Sequence, residues 1–426
     1  DSDWAGGDIR LMSTAVININ APLDVQSDAD MLDWDGGALA TVHNISTITK
    51  SEGTDTSKWQ VNFTNSNTVT VSRGTLELGA TSSTGDSSGS FQVDAGARLG
   101  IGGTHNMTGA FTGAGGFYQA NGGTTSIQGS YALTGTLSVL GTAGTRLSFA
   151  IPVTIGDDVS VSAGTLEFTQ ASAVNADVFL SGGTLTAAAG LPVSGNFTHS
   201  NGTLNGAGTV TVSGMFDWAG GRQGGSGETI VDGGAVLSGT TPRFLDERTL
   251  TLNTDSDWAG GDIRLLSTAV INNNTSLDIL SDADILDWDG GAFATFNNNA
   301  PLSKLTGSGL TNIIAIFNNS DTISVDSGQL AFNREFIQDA TGTLGVNIAD
   351  SEFDSYAVGQ SATLDGTLTI NLLGGFMPAV DATFAIMTYS SLTGTFDSVN
   401  GVDIGNGTHF SIIYGANDIT LKVVPD

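Results

Sequence analysis

The chain has 426 residues, of which 59 are glycine, seven are proline and none is cysteine. Thirteen Lys and Arg residues face 43 Asp and Glu residues, so the formal net charge is −30, which disfavours binding to nucleic acids and to anionic membrane surfaces. The composition also excludes disulfides and a collagen helix, and no run of about 18 apolar residues predicts a helix that crosses a membrane.

The N-terminal part of the chain is one copy of a long internal repeat. Residues 1–44 match residues 255–298 at an offset of 254, and 34 of these 44 positions are identical. The match fades after residue 44 and then returns without a gap, so the repeat covers 1–78 and 255–332. Such self-similarity is typical of repeat architectures in which each unit packs on the next.

A shorter period lies in the middle of the chain. Leu147, Leu166, Leu185 and Leu204 are spaced by 19 residues, each in a Gly/Thr-rich context. Short runs such as TVTV at 68–71 alternate apolar and polar residues, which is the pattern of a half-buried strand. A fixed phase of this length is typical of one coil of a solenoid whose coils stack at the strand spacing. We therefore predict an all-β chain that forms a right-handed parallel β-helix, continuous over 1–335, with almost no α-helix.

The tail differs in pattern. Residues 363–376, 382–396 and 409–424 read as longer and more apolar strands with hairpin-like turns between them. We predict that 336–426 forms a β-rich C-terminal cap over the last coil, because the open end of a solenoid needs cover.

A family resemblance rests on the middle block and the tail. The middle block reads GAGTVTVSGMFDWAGG at 206–221, and the tail contains DSYAVG at 354–359 and ATLDGTL at 362–368. These segments resemble the Gly/Thr/Asn-rich β-helical repeats of bacterial surface adhesins and autotransporter-like passenger proteins. The resemblance implies a β-helix located outside the cell or on the bacterial cell surface, and it implies no particular chemical activity.

Tryptophan recurs in two related motifs. DWAGG places Trp4, Trp218 and Trp258, whereas DWDGG places Trp34 and Trp288. An exposed indole at Trp34 and Trp288 would stack on a sugar ring. The alternative is that each tryptophan fills a corner of a coil while Gly-Gly makes the turn. Recurrence in phase with the repeat favours this structural interpretation.

Clustered aspartates are the candidate metal ligands. Oxygen-rich turns suit Ca²⁺, but neither copy matches an EF-hand loop or a nonapeptide calcium repeat. The alternative is a solvated acidic face that opposes edge-to-edge pairing. The candidate calcium ligands are Asp24, Asp28, Asp30, Asp278, Asp282 and Asp284.

Catalytic residues are not expected. A polysaccharide lyase or hydrolase needs paired carboxylates or a base next to its substrate, and the sequence offers no such unrepeated group. Arg10 and Arg264 are copies of each other, and His43 is replaced by Asn297 in the second copy. We predict a protein that is not an enzyme, with calcium as the sole candidate cofactor.

Asparagine runs predict amide ladders inside turns. Examples are Asn272–Asn274 and Asn297–Asn299.

The leading hypothesis is an extracellular structural or adhesive protein that forms a stiff acidic rod or fibre. The alternative is a carbohydrate-binding or polysaccharide-cleaving β-helix. Since residue 1 falls inside a repeat, we expect self-association or a neighbouring subunit at the N-terminal end, with surface glycans as further partners.

Overall fold

A computed structural model describes residues 2–426, which form 59 β-strands and no α-helix. Two units are distinguished, Asp1–Gly214 and Met215–Asp426, and together they hold about 18 turns of a parallel β-solenoid. The handedness of the winding stays a prediction.

The first unit contains β1 to β31, which are, in order, Ser2–Trp4, Ile9–Leu11, Val16–Ile19, Leu23–Val25, Met31–Asp33, Thr41–Asn44, Thr47–Lys50, Thr56–Trp59, Asn62–Asn65, Thr68–Val71, Thr75–Leu78, Thr84–Ser87, Ser90–Val93, Arg98–Ile101, Thr104–Met107, Phe111–Gly113, Gly116–Gln119, Thr124–Ile127, Tyr131–Leu133, Leu137–Val139, Arg146–Phe149, Thr154–Ile155, Val159–Val161, Thr165–Phe168, Ala173–Val174, Val178–Leu180, Thr184–Ala187, Leu191–Val193, Phe197–His199, Thr203–Asn205 and Val210–Val212.

The second unit contains β32 to β59, which are, in order, Phe216–Trp218, Gly221–Gln223, Glu228–Val231, Ala235–Leu237, Arg243–Asp246, Thr249–Leu252, Ser256–Trp258, Ile263–Leu266, Val270–Asn273, Leu277–Ile279, Ile285–Asp287, Thr295–Asn298, Leu302–Lys304, Leu310–Ile313, Ile316–Asn319, Thr322–Val325, Gln329–Phe332, Phe336–Gln338, Thr343–Ile348, Tyr356–Val358, Ser361–Leu364, Thr367–Leu372, Thr383–Thr388, Ser391–Gly394, Ser398–Asn400, Asp403–Gly405, Thr408–Tyr414 and Asp418–Pro425.

Alternation of side chains explains why such short segments are strands. In β10 the two valines of TVTV are fully buried, and the two threonines lie half-buried on the outer face. A strand typically pairs with the strands three before and three after it, as in β4–β7–β10, so three strands complete a turn. Gly74, between β10 and β11, has a φ of +63°, a conformation that favours glycine at this tight corner.

The 19-residue period is confirmed in the first unit. Leu147, Leu166, Leu185 and Leu204 are register partners on β21, β24, β27 and β30, and all four are buried. Each coil therefore places a leucine directly above the leucine of the coil before it, and the column forms part of a continuous apolar interior.

Amide ladders are present, but their residues lie on strands instead of in turns, and each ladder crosses from one coil to the next. The buried ladder joins Asn273, Asn298, Asn319 and Gln338 through side-chain hydrogen bonds of 2.8, 2.8 and 3.1 Å. The strands stack in register, so each amide meets an equivalent amide one coil away. Since buried amides need hydrogen-bond partners, the ladder meets that need inside the core.

The two copies of the long repeat place equivalent residues in equivalent environments. Trp4 and Trp258 are both buried, and Phe63 and Phe317 are both fully buried. This agreement was predicted from the identity of the two sequences.

The C-terminal end of the chain changes its pairing direction. Parallel pairing continues beyond residue 335, in β50–β53 and β53–β56. Antiparallel pairs then join β54 to β59, β57 to β58 and β58 to β59. These antiparallel pairs end the parallel stacking, and the cap over 336–426, with its boundary at 335/336, stays a prediction. Residues 2–426 also contain no helix with the length and apolarity that crossing a bilayer requires.

Candidate functional site

The two DWDGG loops present their tryptophans to solvent. Trp34 and Trp288 are 55% and 51% exposed. Period-2 alternation explains this, because Ile285 at the start of β42 points inward and Trp288 follows it by an odd number of residues. The same parity relates Met31 to Trp34 in the first unit.

The second aspartate of each motif fixes the loop. The Asp289 carboxylate accepts hydrogen bonds from the backbone N–H groups of Ser267 at 2.8 Å and Gly291 at 3.0 Å. The Gly291 N–H, with the Ser267 N–H, lowers the pKa of Asp289. Asp35 accepts the equivalent bonds from Ser13 and Gly37 in the first unit. The loops are therefore held in one conformation before any ligand arrives.

An arginine lies against each exposed indole. The guanidinium carbon of Arg10 lies 3.8 Å from the centroid of the Trp34 ring, and that of Arg264 lies 3.7 Å from the centroid of Trp288. Such a cation–π contact contributes about 0.5–2 kcal/mol, depending on its exposure. The guanidinium covers one face of each indole. The rest of the ring stays exposed and provides a flat surface for a ligand.

The pair in the second unit is part of a larger surface cluster. The Phe244 ring lies 5.4 Å from the Arg264 guanidinium and meets Trp288 edge-on at 6.4 Å. Phe293 is 43% exposed and carries the Arg334 guanidinium 4.0 Å above its ring. We call Phe244, Arg264, Trp288, Phe293 and Arg334 the Trp288 patch.

The first unit has a smaller version of this surface, which we call the Trp34 pair. It consists of Arg10 and Trp34. At the 254-residue offset, Leu39 stands where the Trp288 patch has Phe293, and Ala80 stands where it has Arg334. The Trp288 patch therefore offers more aromatic area and one more cation.

The DWAGG tryptophans have the structural role that the sequence favoured. The indole N–H groups of Trp4 and Trp258 donate to the carbonyl oxygens of Gly7 and Gly261, at 2.9 and 3.0 Å. Trp218 is also fully buried. The structural interpretation therefore describes these three residues, whereas Trp34 and Trp288 differ from it in their exposure.

Two of the candidate calcium ligands are ion-paired with buried lysines. The Lys50 ammonium donates to Asp28 at 2.7 Å and to the carbonyl oxygens of Ser27 and Glu52. Lys304 forms the same three bonds, with Asp282 at 2.8 Å as its carboxylate partner. Both lysine side chains are fully buried. Burial raises the pKa of Asp28, but Lys50 and the nearby backbone N–H groups outweigh it, so the net shift is downward.

The other four candidate ligands also have partners or lie apart. Asp24 accepts from the Ser51 hydroxyl at 2.6 Å, and Asp30 accepts from the Lys58 N–H at 2.7 Å. Asp284 accepts from the Asn312 N–H, also at 2.7 Å.

Burial raises the pKa of Asp278, and the negative charges of the nearby Asp257 and Asp255 raise it further. Among residues 2–426, no three Asp, Glu or His side chains are grouped closely enough to hold a metal ion. Calcium binding therefore stays a prediction that these contacts do not support.

Sequence reasoning missed a group of carboxylates in the second unit. Asp326, Glu352 and Asp354 line a cleft of about 670 Å³, together with Phe353. Burial, with the nearby Asp326 and Glu352, raises the pKa of Asp354 to about 6, against the opposing hydrogen bond from the Asn347 N–H at 2.8 Å. Because 28 residues separate Asp326 from Asp354, only the stacking of coils brings these side chains together.

Comparisons with known protein families and with curated proteins find no match to this chain.

Proposed function

We propose that the chain is an extracellular structural and adhesive surface protein, of the autotransporter-like adhesin type that its repeats resemble. In this proposal the solenoid is a stiff acidic scaffold, wound in the right-handed sense usual for parallel β connections. Its outer wall presents the Trp34 pair and the Trp288 patch to surface glycans.

Interior hydrogen bonding supports the scaffold role. Arg243 is fully buried and donates to three backbone carbonyl oxygens, those of Trp218, Ser238 and Gly261. Burial lowers the pKa of Arg243 to about 10, so it remains charged at neutral pH. Like the buried lysines, Arg243 connects neighbouring coils through hydrogen bonds that an isolated coil could not form.

The observation that carries the adhesive role is the repeated exposure of an indole over an arginine. Singly exposed apolar residues are ordinary on protein surfaces, whereas a contiguous exposed aromatic cluster such as the Trp288 patch is typical of a binding surface. Sugar rings present C–H groups that pack on aromatic faces, and carboxylates and N–H donors nearby can bond their hydroxyls. Both copies of the repeat hold such an indole in the same setting.

Binding to immobilised glycans tests the adhesive role. We expect the double variant Trp34→Ala, Trp288→Ala to lose at least tenfold in affinity, because both stacking surfaces are removed. Phe179→Ala is the matched control, since Phe179 is an exposed aromatic residue on β26 outside both surfaces. Equal binding by the wild type and the double variant would contradict the proposal, as would a wild type that binds no glycan.

Polysaccharide cleavage is the second candidate function, and the cleft at Asp354 favours it. A carboxyl group that remains protonated near pH 6 can act as a general acid next to an ionised carboxylate. We expect Asp354→Asn to abolish any cleavage of oligosaccharides by the protein while leaving glycan binding at the Trp288 patch intact. Cleavage that persists in this variant would rule out Asp354 as the acid.

Self-association is proposed at the N-terminal coil. Strands β1, β2 and β3 pair in parallel with β4, β5 and β6 and form the first coil of the described residues. Met12 and Val16 on this coil are 62% and 57% exposed. Apolar side chains exposed on a coil are a surface that a second copy can cover. Sedimentation that shows a single species over a hundredfold range of concentration would contradict this.

A further inference from the structure

We propose that the Trp288 patch selects an anionic saccharide, a pyranose that carries a carboxylate on its ring. One sugar ring lies against the exposed face of the Trp288 indole, and the carboxylate of an adjoining residue of the saccharide passes the edge of the indole to meet the Arg264 guanidinium on its other face. This inference rests on the proposed adhesive function and names the class of glycan that the patch takes.

Arg264 differs from the other arginines of the second unit in having no hydrogen-bond partner among the described residues. Arg222 and Arg334 are paired with Asp246 and Asp287. Arg243 donates to carbonyl oxygens, and Arg248 donates to the Thr229 hydroxyl and to backbone carbonyls. The Nε of Arg264 is buried without a partner, and the contacts of its guanidinium are with the Phe244 and Trp288 rings.

The absence of a carboxylate at Arg264 is notable because the chain has 43 acidic residues and only 13 Lys and Arg residues. The nearby aspartates are each bound elsewhere. Asp289 is held by Ser267 and Gly291, and Asp287 by Arg334. The carboxylate of Asp262, one residue before β39, accepts from the N–H of Asp284. The guanidinium therefore keeps donors for an acceptor that the protein does not provide.

The setting of Arg264 suits a carboxylate in particular. A guanidinium presents parallel N–H donors that match the two oxygens of a carboxylate, and such charge-assisted bonds are about twice as strong as neutral ones. The guanidinium lies over the Trp288 ring at 3.7 Å and near the Phe244 ring at 5.4 Å, and these contacts hold it in place, so little side-chain freedom is lost on binding. Arg334, which lies close to Phe293, is paired with Asp287 and adds no net charge, so Arg264 is the unpaired cation of the patch.

The net charge of −30 opposes any anion at long range. At 0.1 M salt this repulsion is screened beyond about 10 Å, whereas a direct contact at the patch is screened much less. We therefore expect binding of the acidic saccharide to improve when the ionic strength is raised from about 0.01 M to about 0.1 M, the range over which the screening length falls from about 30 Å to about 10 Å.

Calorimetric titration with three probes tests the inference. The probes are an oligouronate, the same oligosaccharide with its carboxylates reduced to alcohols, and a sulfated oligosaccharide that has no carboxylate. We expect the wild type to prefer the oligouronate over the reduced probe by at least tenfold. Arg264→Gln should lose this preference while still binding the reduced probe. Arg264→Lys should recover part of the preference, because it restores the charge but not the planar donor pair.

Arg222→Gln is the matched control. Arg222 lies on β33, in register with Phe244 on β36, which is in turn in register with Arg264 on β39, and it is already paired with Asp246. The variant changes the net charge by the same amount, so it should leave the preference unchanged. In the first unit, Arg10→Gln should have a smaller effect than Arg264→Gln, since the Trp34 pair lacks counterparts of Phe293 and Arg334.

The outcomes separate this inference from the proposed function. If none of the three probes binds, the proposed function fails and the inference fails with it. If the reduced probe binds as well as the oligouronate and Arg264→Gln changes neither affinity, the glycan-binding role stands and the inference alone is overturned. Tighter binding of the sulfated probe than of the oligouronate would overturn the assignment to a carboxylate.

Discussion

Asn298→Ala is expected to destabilise the second unit locally, by an amount that the amide ladder sets. Asn298 is fully buried, and its amide nitrogen donates a hydrogen bond to the side-chain oxygen of Asn319. Leaving that oxygen unsatisfied costs about 1–3 kcal/mol. Asn273 also loses an acceptor but keeps the carbonyl oxygens of Ala300 and Pro301, so this loss is closer to about 0.5–1.5 kcal/mol. The free energy of local opening should fall by roughly 2–4 kcal/mol in total.

Asn297→Ala provides a control within the same strand. Asn297 lies on the outer face of β43 and forms the same two amide bonds, with Asn272 and Asn318, each 2.8 Å long. Water can replace these bonds when the side chain is removed, so the cost should stay below about 1 kcal/mol. The two variants therefore remove the same chemistry from opposite faces of one sheet.

Hydrogen exchange measured on peptides that cover β43 and β46 is the suitable assay, because a solenoid can open locally rather than in one global step. The protection of these peptides should fall strongly in Asn298→Ala and little in Asn297→Ala. If both variants lose protection equally, the buried ladder stabilises the stack no more than the outer one does.

Three further outcomes are expected. Gly109→Ala should destabilise the first unit by about 1–3 kcal/mol or more, since an added Cβ would lie 1.8 Å from the Gly89 carbonyl oxygen, whereas Gly144→Ala meets no atom within 4 Å and should be neutral in denaturation. Because the pKa of Asp354 is raised to about 6 from its ordinary 3.8, its contribution to stability is full below pH 4 and is lost as the pH rises through 6. In Asp354→Asn the slope of the unfolding free energy against pH should therefore become more positive between pH 4 and 6, and an unchanged slope would contradict this. Lys304→Met should lower stability by about 1–3 kcal/mol, because it removes the buried charged donor that the carbonyl oxygens of Ser281 and Thr306 share with the Asp282 carboxylate, and unchanged hydrogen exchange at β44 would contradict this.

Much of the fold was predictable because each coil of the solenoid repeats the same pattern of buried and exposed residues. The leucine period gave the register of β21, β24, β27 and β30 directly, and alternation gave the buried face of each strand. The amide ladders were predicted from asparagine runs but assigned to turns. Their position on strands follows from the same alternation, since neighbouring asparagines such as Asn297 and Asn298 point to opposite faces.

The candidate sites were harder to predict. The two tryptophan motifs differ by one residue, yet DWAGG buries its indole and DWDGG exposes it. Counting by twos from Ile285 would have placed Trp288 outside, so the signal was present in the strand parity. The grouping of Asp326 with Asp354 had no such signal, because it depends on how much chain each coil uses before the next one stacks.

The leucine column of the first unit has a consequence for how such a chain can change its length. Leu147, Leu166, Leu185 and Leu204 are equivalent by register. Removing residues 166–184 would therefore place Leu185 next to Leu147, with neighbouring contacts of the same kind. Loss of a single residue would instead turn one strand's apolar face to water. Within strands, insertions and deletions therefore keep the interior apolar when they add or remove a whole coil, which lengthens or shortens the solenoid without changing the character of its interior.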